Sequence, residues 1–320
     1  PWMINDGIVE MGNVVEQSVD EIVNGDEINI FRKMILEGNY ALCDKNLCRL
    51  IAHDSLPDLS QDKIEQIIAN KYPLHFNIAY DDTCNHACPS CRDKYFCKNG
   101  EYSCNIKLIN NKMLTYYNNA KSISLNGRGE VFASKELLEL VTNLNPINDD
   151  FELVIETNAS LFDEQHWKYF KHLEKYKISV MATVNSFNDS TYRYLNGYSN
   201  HVEQVIKNLY YIQSLREKEI INDFTISMIV QEANFREMPV YVKRCFEEFG
   251  ADKVRIRGIM KFAMNEEEFW YKDVFNPAHP CYSEVLDILD NPIMKDSRIW
   301  YWEGDYRKSR ENKEHPLQRY

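Results

Sequence analysis

The chain has 320 residues, 44% of them hydrophobic, and a net charge of −12 from 37 basic and 49 acidic side chains. That charge argues against nonspecific nucleic-acid binding and against a polybasic membrane surface, and no apolar run approaches the length of a bilayer span. Nine cysteines, an odd number in a long chain, fit metal or cluster ligation in a reducing compartment better than a disulfide framework, so a cytoplasmic protein is expected.

Residues 1–70 stand apart from the rest. They hold a glycine-bearing turn at Asn5-Asp6-Gly7, a polar helix near Ser18–Glu37 and a cysteine pair, Cys43 and Cys48. The LPDLS stretch at 56–60 reads as a connector, and a short helix over Asp62–Asn70 leads into the first strand. From about Lys71 onward, short β-branched or aromatic runs alternate with longer helical ones. Strands are predicted at 74–80, 122–127, 151–158, 178–185, 224–231 and 253–260, with helices at Lys135–Leu144, Glu164–Lys175, Val202–Glu217 and Arg236–Phe249. Such alternation implies parallel pairing with right-handed crossovers, in a doubly wound sheet or a partial barrel. Asn234 followed by Glu237 resembles a capping box opening the last of those helices, and Gly250 stands where its C-cap belongs. After Asp296 the chain is rich in Trp, Tyr and charge and is expected to be a partly ordered tail.

The chemistry concentrates just after the first strand, in FNIAYDDTCNHACPSCRDKYF, where Cys84, Cys88 and Cys91 stand as C-x3-C-x2-C. Three thiolates on one loop can hold three irons of a [4Fe–4S] cluster and leave the fourth iron open. Zinc sites usually need four protein ligands, often as two C-x2-C knuckles, and ferredoxin runs have a different spacing with a fourth Cys. A second signal is Asn126-Gly127-Arg128-Gly129-Glu130, at the end of the second strand. There glycines let the backbone approach a ligand, and the Glu carboxylate can meet an ammonium group. Asn158, Thr183, Asn185 and Gln231 end later strands, on the edge where parallel barrels bind ligands.

Together these residues resemble the radical S-adenosylmethionine (SAM) superfamily, from roughly Lys71 to Ile259. The resemblance implies a partial (β/α)6 TIM-type barrel over residues 71–295, with Cys84, Cys88 and Cys91 as [4Fe–4S] ligands. It implies that Gly127, Gly129 and Glu130 face the SAM methionine amine. Ser90 stands where the family has an aromatic whose backbone meets the adenine, and Asn158, Thr183, Asn185 and Gln231 are candidates for the SAM carboxylate and ribose. Arg128 replaces a small residue of the family's loop. A narrower resemblance covers 1–70: GNVVEQS at 12–18, EIVNG, FRKMILEGNY and Cys43-x4-Cys48 are similar to the SPASM/twitch extension, which holds auxiliary clusters. Cys43 and Cys48 are read as ligands of a second iron–sulfur cluster, against the plainer reading as buried thiols; further cysteines of that pattern are absent from the sequence. The implied partners are a flavodoxin- or ferredoxin-type electron donor and a ribosomal peptide substrate. A carbohydrate or small metabolite is the alternative substrate, and a zinc or iron–sulfur binding protein without SAM chemistry is the alternative class. Residues 296–320 complete the expected organisation as a tail.

Other residues carry less. Cys97 and Cys104 read as free thiols on a connector or parts of a second site, Cys245 as core, Cys281 as unremarkable, and His86 as a solvated loop residue. The acid run Glu266–Glu268 reads as a solvated helix face. The tyrosines read as core or cleft wall, none singled out.

Overall fold

A computed structural model describes residues 11–43, 51, 54, 56, 60, 73–92, 94–96, 98–125, 129–197, 200–261 and 264–301 of the chain. Seven strands pair in strict chain order: β1 (His75–Ile78), β2 (Ser122–Leu125), β3 (Glu152–Thr157), β4 (Lys177–Thr183), β5 (Asp223–Val230), β6 (Lys253–Gly258) and β7 (Ile299–Tyr301). Every neighbouring pair is parallel. A doubly wound sheet would reverse direction part-way; this order winds one way, as in a partial barrel, and β1 and β7 are left unpaired to each other.

Alternation along the strands explains the layering. Leu153 and Ile155 of β3, Ile178, Val180 and Ala182 of β4 and Phe224, Ile226, Met228 and Val230 of β5 are almost fully excluded from solvent. They form one core with Leu137, Leu140 and Val141 of a helix at Lys135–Asn143, Val205, Leu209 and Ile212 of a helix at Val202–Glu217, and Val242 and Cys245 of a helix at Met238–Glu247. Cys245 is therefore core, as expected. The opposite face of the sheet carries Ser124, Glu156, Thr183, Ser227, Arg255 and Arg257, a polar surface away from the helices.

Among the described residues the helices are, in chain order, α1 (Val19–Val23), α2 (Asp26–Leu36), α3 (Gly100–Asn118), α4 (Lys135–Asn143), α5 (Glu164–Trp167), α6 (Asp189–Asn196), α7 (Val202–Glu217), α8 (Met238–Glu247), α9 (Glu266–Lys272) and α10 (Tyr282–Leu289). The polar helix expected near Ser18–Glu37 is two helices, the first opened by a capping box between Ser18 and Glu21. The helix expected over Glu164–Lys175 stops after one turn and passes to a 3-10 turn at Lys171–Leu173, where Trp167 stacks on Phe162 and Phe170 at 5.2 and 5.3 Å. Glu266, Glu267 and Glu268 are exposed in the first turn of α9, a solvated face as read.

Further features differ from the reading of the sequence: Cys104, read as lying on a connector, sits in the long helix α3, which the sequence reading did not anticipate. Asn234 does not cap the following helix. Its amide donates to the carbonyls of Asn185 (2.8 Å) and Ile229 (2.9 Å) and its oxygen accepts from the Gln231 N–H (2.8 Å), so its polar atoms are drawn to the strand ends. The helix begins at Met238 with a proline in its first turn. Residues 299–301, placed in the tail, form β7 because the β6 edge offers a ladder to pair with. Gly250 does lie just beyond α8 with φ +62°, the left-handed geometry expected of a helix C-cap.

The Asn5–Gly7 turn, Cys48, Cys97, most of the 56–70 connector and helix, and residues 302–320 lie outside the described residues. Among the described residues, no helix is long and apolar enough to cross a membrane. Asn234, fully buried, makes three bonds that tie the ends of β4 and β5. Asn234→Ala is expected to destabilise the fold by about 3 kcal/mol, three bonds at roughly 1 kcal/mol each, read as a lowered urea midpoint.

Candidate metal and cofactor site

Because the sheet is parallel, the carboxyl ends of all its strands share one edge, and each sequence-singled motif follows a strand onto that edge. The loop after β1 carries Cys84, Cys88 and Cys91. It is fixed at its start by Asp81, which is buried and accepts from the Thr83 N–H (2.9 Å), the Tyr102 hydroxyl of α3 (3.2 Å) and the Ser134 hydroxyl that caps α4. At its end the N–H groups of Cys91 and Arg92 both donate to the Cys88 carbonyl, at 2.9 and 3.0 Å, making one helical turn. The three thiols are unbridged, Cys84 and Cys88 half-buried and Cys91 exposed.

Their electrostatics suit a group that displaces protons. Burial pushes the Cys88 thiol up to about 12, and the nearby sulfurs of Cys84 and Cys91 push it the same way. Burial likewise raises Cys84 to about 11. Both are therefore protonated at neutral pH, and a metal bound there would take the proton's place. Arg92 opposes that shift at both sulfurs.

The loop after β2 is clamped against this one. A Cβ at Gly129 would lie 2.4 Å from the Asp81 carbonyl oxygen and 2.5 Å from that of Thr83, and the Glu130 N–H donates to the same Thr83 carbonyl at 2.7 Å. Glycine is required here for close backbone approach. Gly127 lies outside the described residues.

Glu130 is buried and pointed inward. Its carboxylate accepts from the Asn158 N–H (2.6 Å), the Thr157 hydroxyl (2.8 Å) and the Phe132 N–H (3.2 Å), joining the ends of β2 and β3. Burial raises its pKa against those three bonds.

The other strand-end residues divide into two groups. Asn158 donates to the Asn85 side chain (3.0 Å), lies 3.9 Å from the Cys84 sulfur, and accepts from both the N–H and the hydroxyl of Ser160. Asn185 accepts from the Ile229 N–H and donates to Asn196 Oδ1, each at 3.1 Å. These two asparagines spend their capacity within the protein. Gln231 is buried at 2% exposure with its Nε2 unpartnered, and Thr183 is half-buried on the sheet face away from the helices. Ser90 is half-buried in the cysteine loop.

His86 differs from its reading as a solvated residue. It is 2% exposed, its ring edge-on to Tyr192 of α6 at 6.2 Å, and burial, then the Arg92 charge, lowers its pKa to about 4. Neutral His86 leaves Nε2 without a partner, as do Thr83 Oγ1 and the Tyr192 hydroxyl. Unpaired buried polar atoms are costly, and these three, of six such side-chain atoms among the described residues, lie in the cysteine loop or touch it. A donor set of three thiols with unspent polar atoms around it fits a cluster with a polar co-ligand.

Residues the sequence did not single out complete the setting. Asn196, in the last turn of α6, accepts from the Cys88 thiol at 3.6 Å, and Gly197 (φ +97°) would place a Cβ 3.5 Å from the Ala87 carbonyl. Asp81, adjacent to the strand end, and the Asn196-Gly197 helix-stop pair were the available signals. Away from this edge, Cys43 is buried at 2% exposure, Cys104 is exposed on α3 and Cys281 half-buried before α10.

No family model and no curated protein matches the sequence. Solved structures do match the fold. Streptococcus suis SuiB bound to the precursor peptide SuiA superposes with a TM-score of 0.51 at 15% identity, over 90% of this chain and 64% of that one. SuiB bound to S-adenosylmethionine gives 0.49 at 15% identity, over 86% and 61%. Escherichia coli coproporphyrinogen III oxidase HemN, a radical SAM enzyme, gives 0.47 at 13% identity, over 72% and 56%. The chain thus spans just under two thirds of SuiB, and the likeness is one of fold.

Two substitutions test the clamp. Gly129→Ala drives a Cβ into backbone that cannot yield cheaply and is expected to cost about 1–3 kcal/mol in urea unfolding. Glu130→Gln keeps shape but turns an amide toward either the Asn158 or the Phe132 N–H. A loss of roughly 1–3 kcal/mol is expected from that buried donor–donor contact, and a denaturation midpoint equal to the wild type's would show the carboxylate is not needed.

Proposed function

We propose that this chain is a radical SAM enzyme. The observation that carries the reading is the clamp between two loops. Cys84, Cys88 and Cys91 are gathered after β1, and the Gly129–Glu130 turn after β2 is held on the same loop by the Thr83 carbonyl. A zinc-binding module has no use for the second loop.

In this reading Cys84, Cys88 and Cys91 hold a [4Fe–4S] cluster with one iron open to SAM. When bound, that group would supply the electron for reductive cleavage of SAM and so the radical chemistry of C–H abstraction. The protein's part is placement. Residues 127–130 meet the methionine amine through the loop, Glu130 acting by holding the turn because its own oxygens are spent on Thr157, Asn158 and Phe132. Asn158 and Asn185 shape the pocket wall, whereas Gln231 and Thr183 offer polar groups to the nucleoside or carboxylate, and the Ser90 backbone lies toward the adenine. Burial of the Cys84 and Cys88 side of the loop limits water around a reactive radical.

A ribosomal peptide is the proposed substrate. Its support is the SPASM-like pattern of residues 12–48 and the fold neighbour SuiB, captured with its precursor peptide. Cys43 and Cys48 are the proposed ligands of an auxiliary cluster, a reduced flavodoxin or ferredoxin the proposed electron donor, and the reducing cytoplasm the proposed location.

The test is anaerobic reconstitution with iron and sulfide. About eight irons per chain are expected for the wild type with both clusters filled, about four if only the Cys84, Cys88 and Cys91 site is real, with 5′-deoxyadenosine formed from SAM on reduction and that product lost in the Cys84/Cys88/Cys91→Ala triple variant. If that variant retains about four irons of a wild-type eight, the auxiliary cluster is real. Stoichiometric zinc without iron overturns the radical reading and leaves a binding module.

A further inference from the structure

The cysteine loop is closed by a side chain from its own end. Arg92 follows the third cysteine and folds back across the loop's mouth: one guanidinium nitrogen, Nη1, donates to the Asp82 carbonyl at 2.9 Å. The other, Nη2, lies 4.0 Å from the Cys91 sulfur. The Asp82 peptide is itself anchored, its N–H donating to the Tyr102 hydroxyl at 2.6 Å. The guanidinium is therefore not a loose surface charge. It joins the first and last residues of the loop and holds a positive charge on the side where Cys91 is exposed.

Arginine suits this position because its planar fork serves two acceptors at once, which the single ammonium of lysine does not. A group held by three thiolates becomes more negative when it gains an electron. A fixed cation a few ångströms away favours the reduced state, and net charge and contacts to the sulfurs are among the levers that set an iron–sulfur potential.

We propose that Arg92 is a positioning residue with a redox role: it latches the cluster loop through Asp82 and fixes a positive charge beside Cys91 that raises the reduction potential of the iron–sulfur group held by Cys84, Cys88 and Cys91. This rests on the cluster reading given above. The role belongs to Arg92 and not to the thiols, so it is separable from iron binding itself.

The experiment compares wild type, Arg92→Lys, Arg92→Gln and Arg92→Met, each reconstituted anaerobically and titrated with reductant in the absence of SAM and substrate. Iron per chain and the EPR signal of the reduced cluster are followed. Wild-type iron content is expected in the variants, with a more negative midpoint in Arg92→Gln and Arg92→Met and Arg92→Lys between them and wild type. At a fixed donor potential the ratio of reduced to oxidised cluster is expected to fall roughly tenfold in Arg92→Met, the size of one nearby charge at an intermediate dielectric. Midpoints unchanged in Arg92→Gln and Arg92→Met, or an equal shift in Lys, Gln and Met, overturn the charge role. If Arg92→Met does not retain iron, the Lys and Gln pair decides: Lys above Gln upholds the proposal and equality overturns it. Loss of iron in all three, Lys included, also overturns it, leaving only a latch. A wild type that takes up no iron fails the cluster reading itself, a result none of the variant outcomes imitates.

Discussion

Gly129 passes the Asp81–Thr83 backbone at a distance that no side chain could occupy, and the arrangement at the carboxyl edge of the sheet follows from that approach. Because the two loops touch, the Glu130 N–H finds the Thr83 carbonyl, and the Glu130 side chain is turned inward toward β3. Asp81, on the other side of the contact, fastens the same loop to α3 and α4. The cysteines thus stand on a segment held from both ends and from above. A loop so short of regular structure keeps its three thiols together through these contacts and the turn that Cys91 and Arg92 make on the Cys88 carbonyl.

The polar residues at this edge are economically distributed. Asn158, Asn185 and Asn234 each satisfy backbone or side-chain groups of neighbouring strands, so they stiffen the rim. Around the cysteine loop the balance is different. Thr83, His86 and Tyr192 bury polar atoms without protein partners, Glu130 carries a carboxylate into a buried position, and the two inner thiols are held protonated by burial. Three of the six buried side-chain atoms without a hydrogen-bond partner among the described residues, Thr83 Oγ1, His86 Nε2 and the Tyr192 hydroxyl, thus gather at this loop, where such groups are costly to leave unpaired. Arg92 brings the compensating positive charge to this same loop.

Much of the barrel was legible because parallel strands read strongly. Alternating apolar residues such as Leu153 and Ile155, or Phe224, Ile226 and Met228, face one core, and the predicted runs fall within a few residues of the observed strands. What misled was local chemistry with two equally local uses. Asn234 followed by Glu237 has the form of a helix cap, yet the open carbonyls of Asn185 and Ile229 compete for the same amide. His86 looked solvated because its neighbours in sequence are polar; it is buried by α6, which lies far along the chain. The three residues of β7 are too few to show a period and exist as a strand only because β6 presents a free edge.

The sequence by itself determined the strand order's raw material, the three-cysteine spacing and the glycine–acid turn that follows the second strand. Those are short-range patterns, governed by side-chain period, turn stereochemistry and the reach of thiols on one loop. The tertiary structure decided which polar residues remain available. It turned Glu130 into a brace, spent Asn158 and Asn185 on the rim, buried His86 against Tyr192 and brought Asn196 to Cys88. Each of these depends on contacts between segments tens of residues apart, where hydrogen-bond capacity and burial are settled by which backbones meet, and no local pattern carries that information.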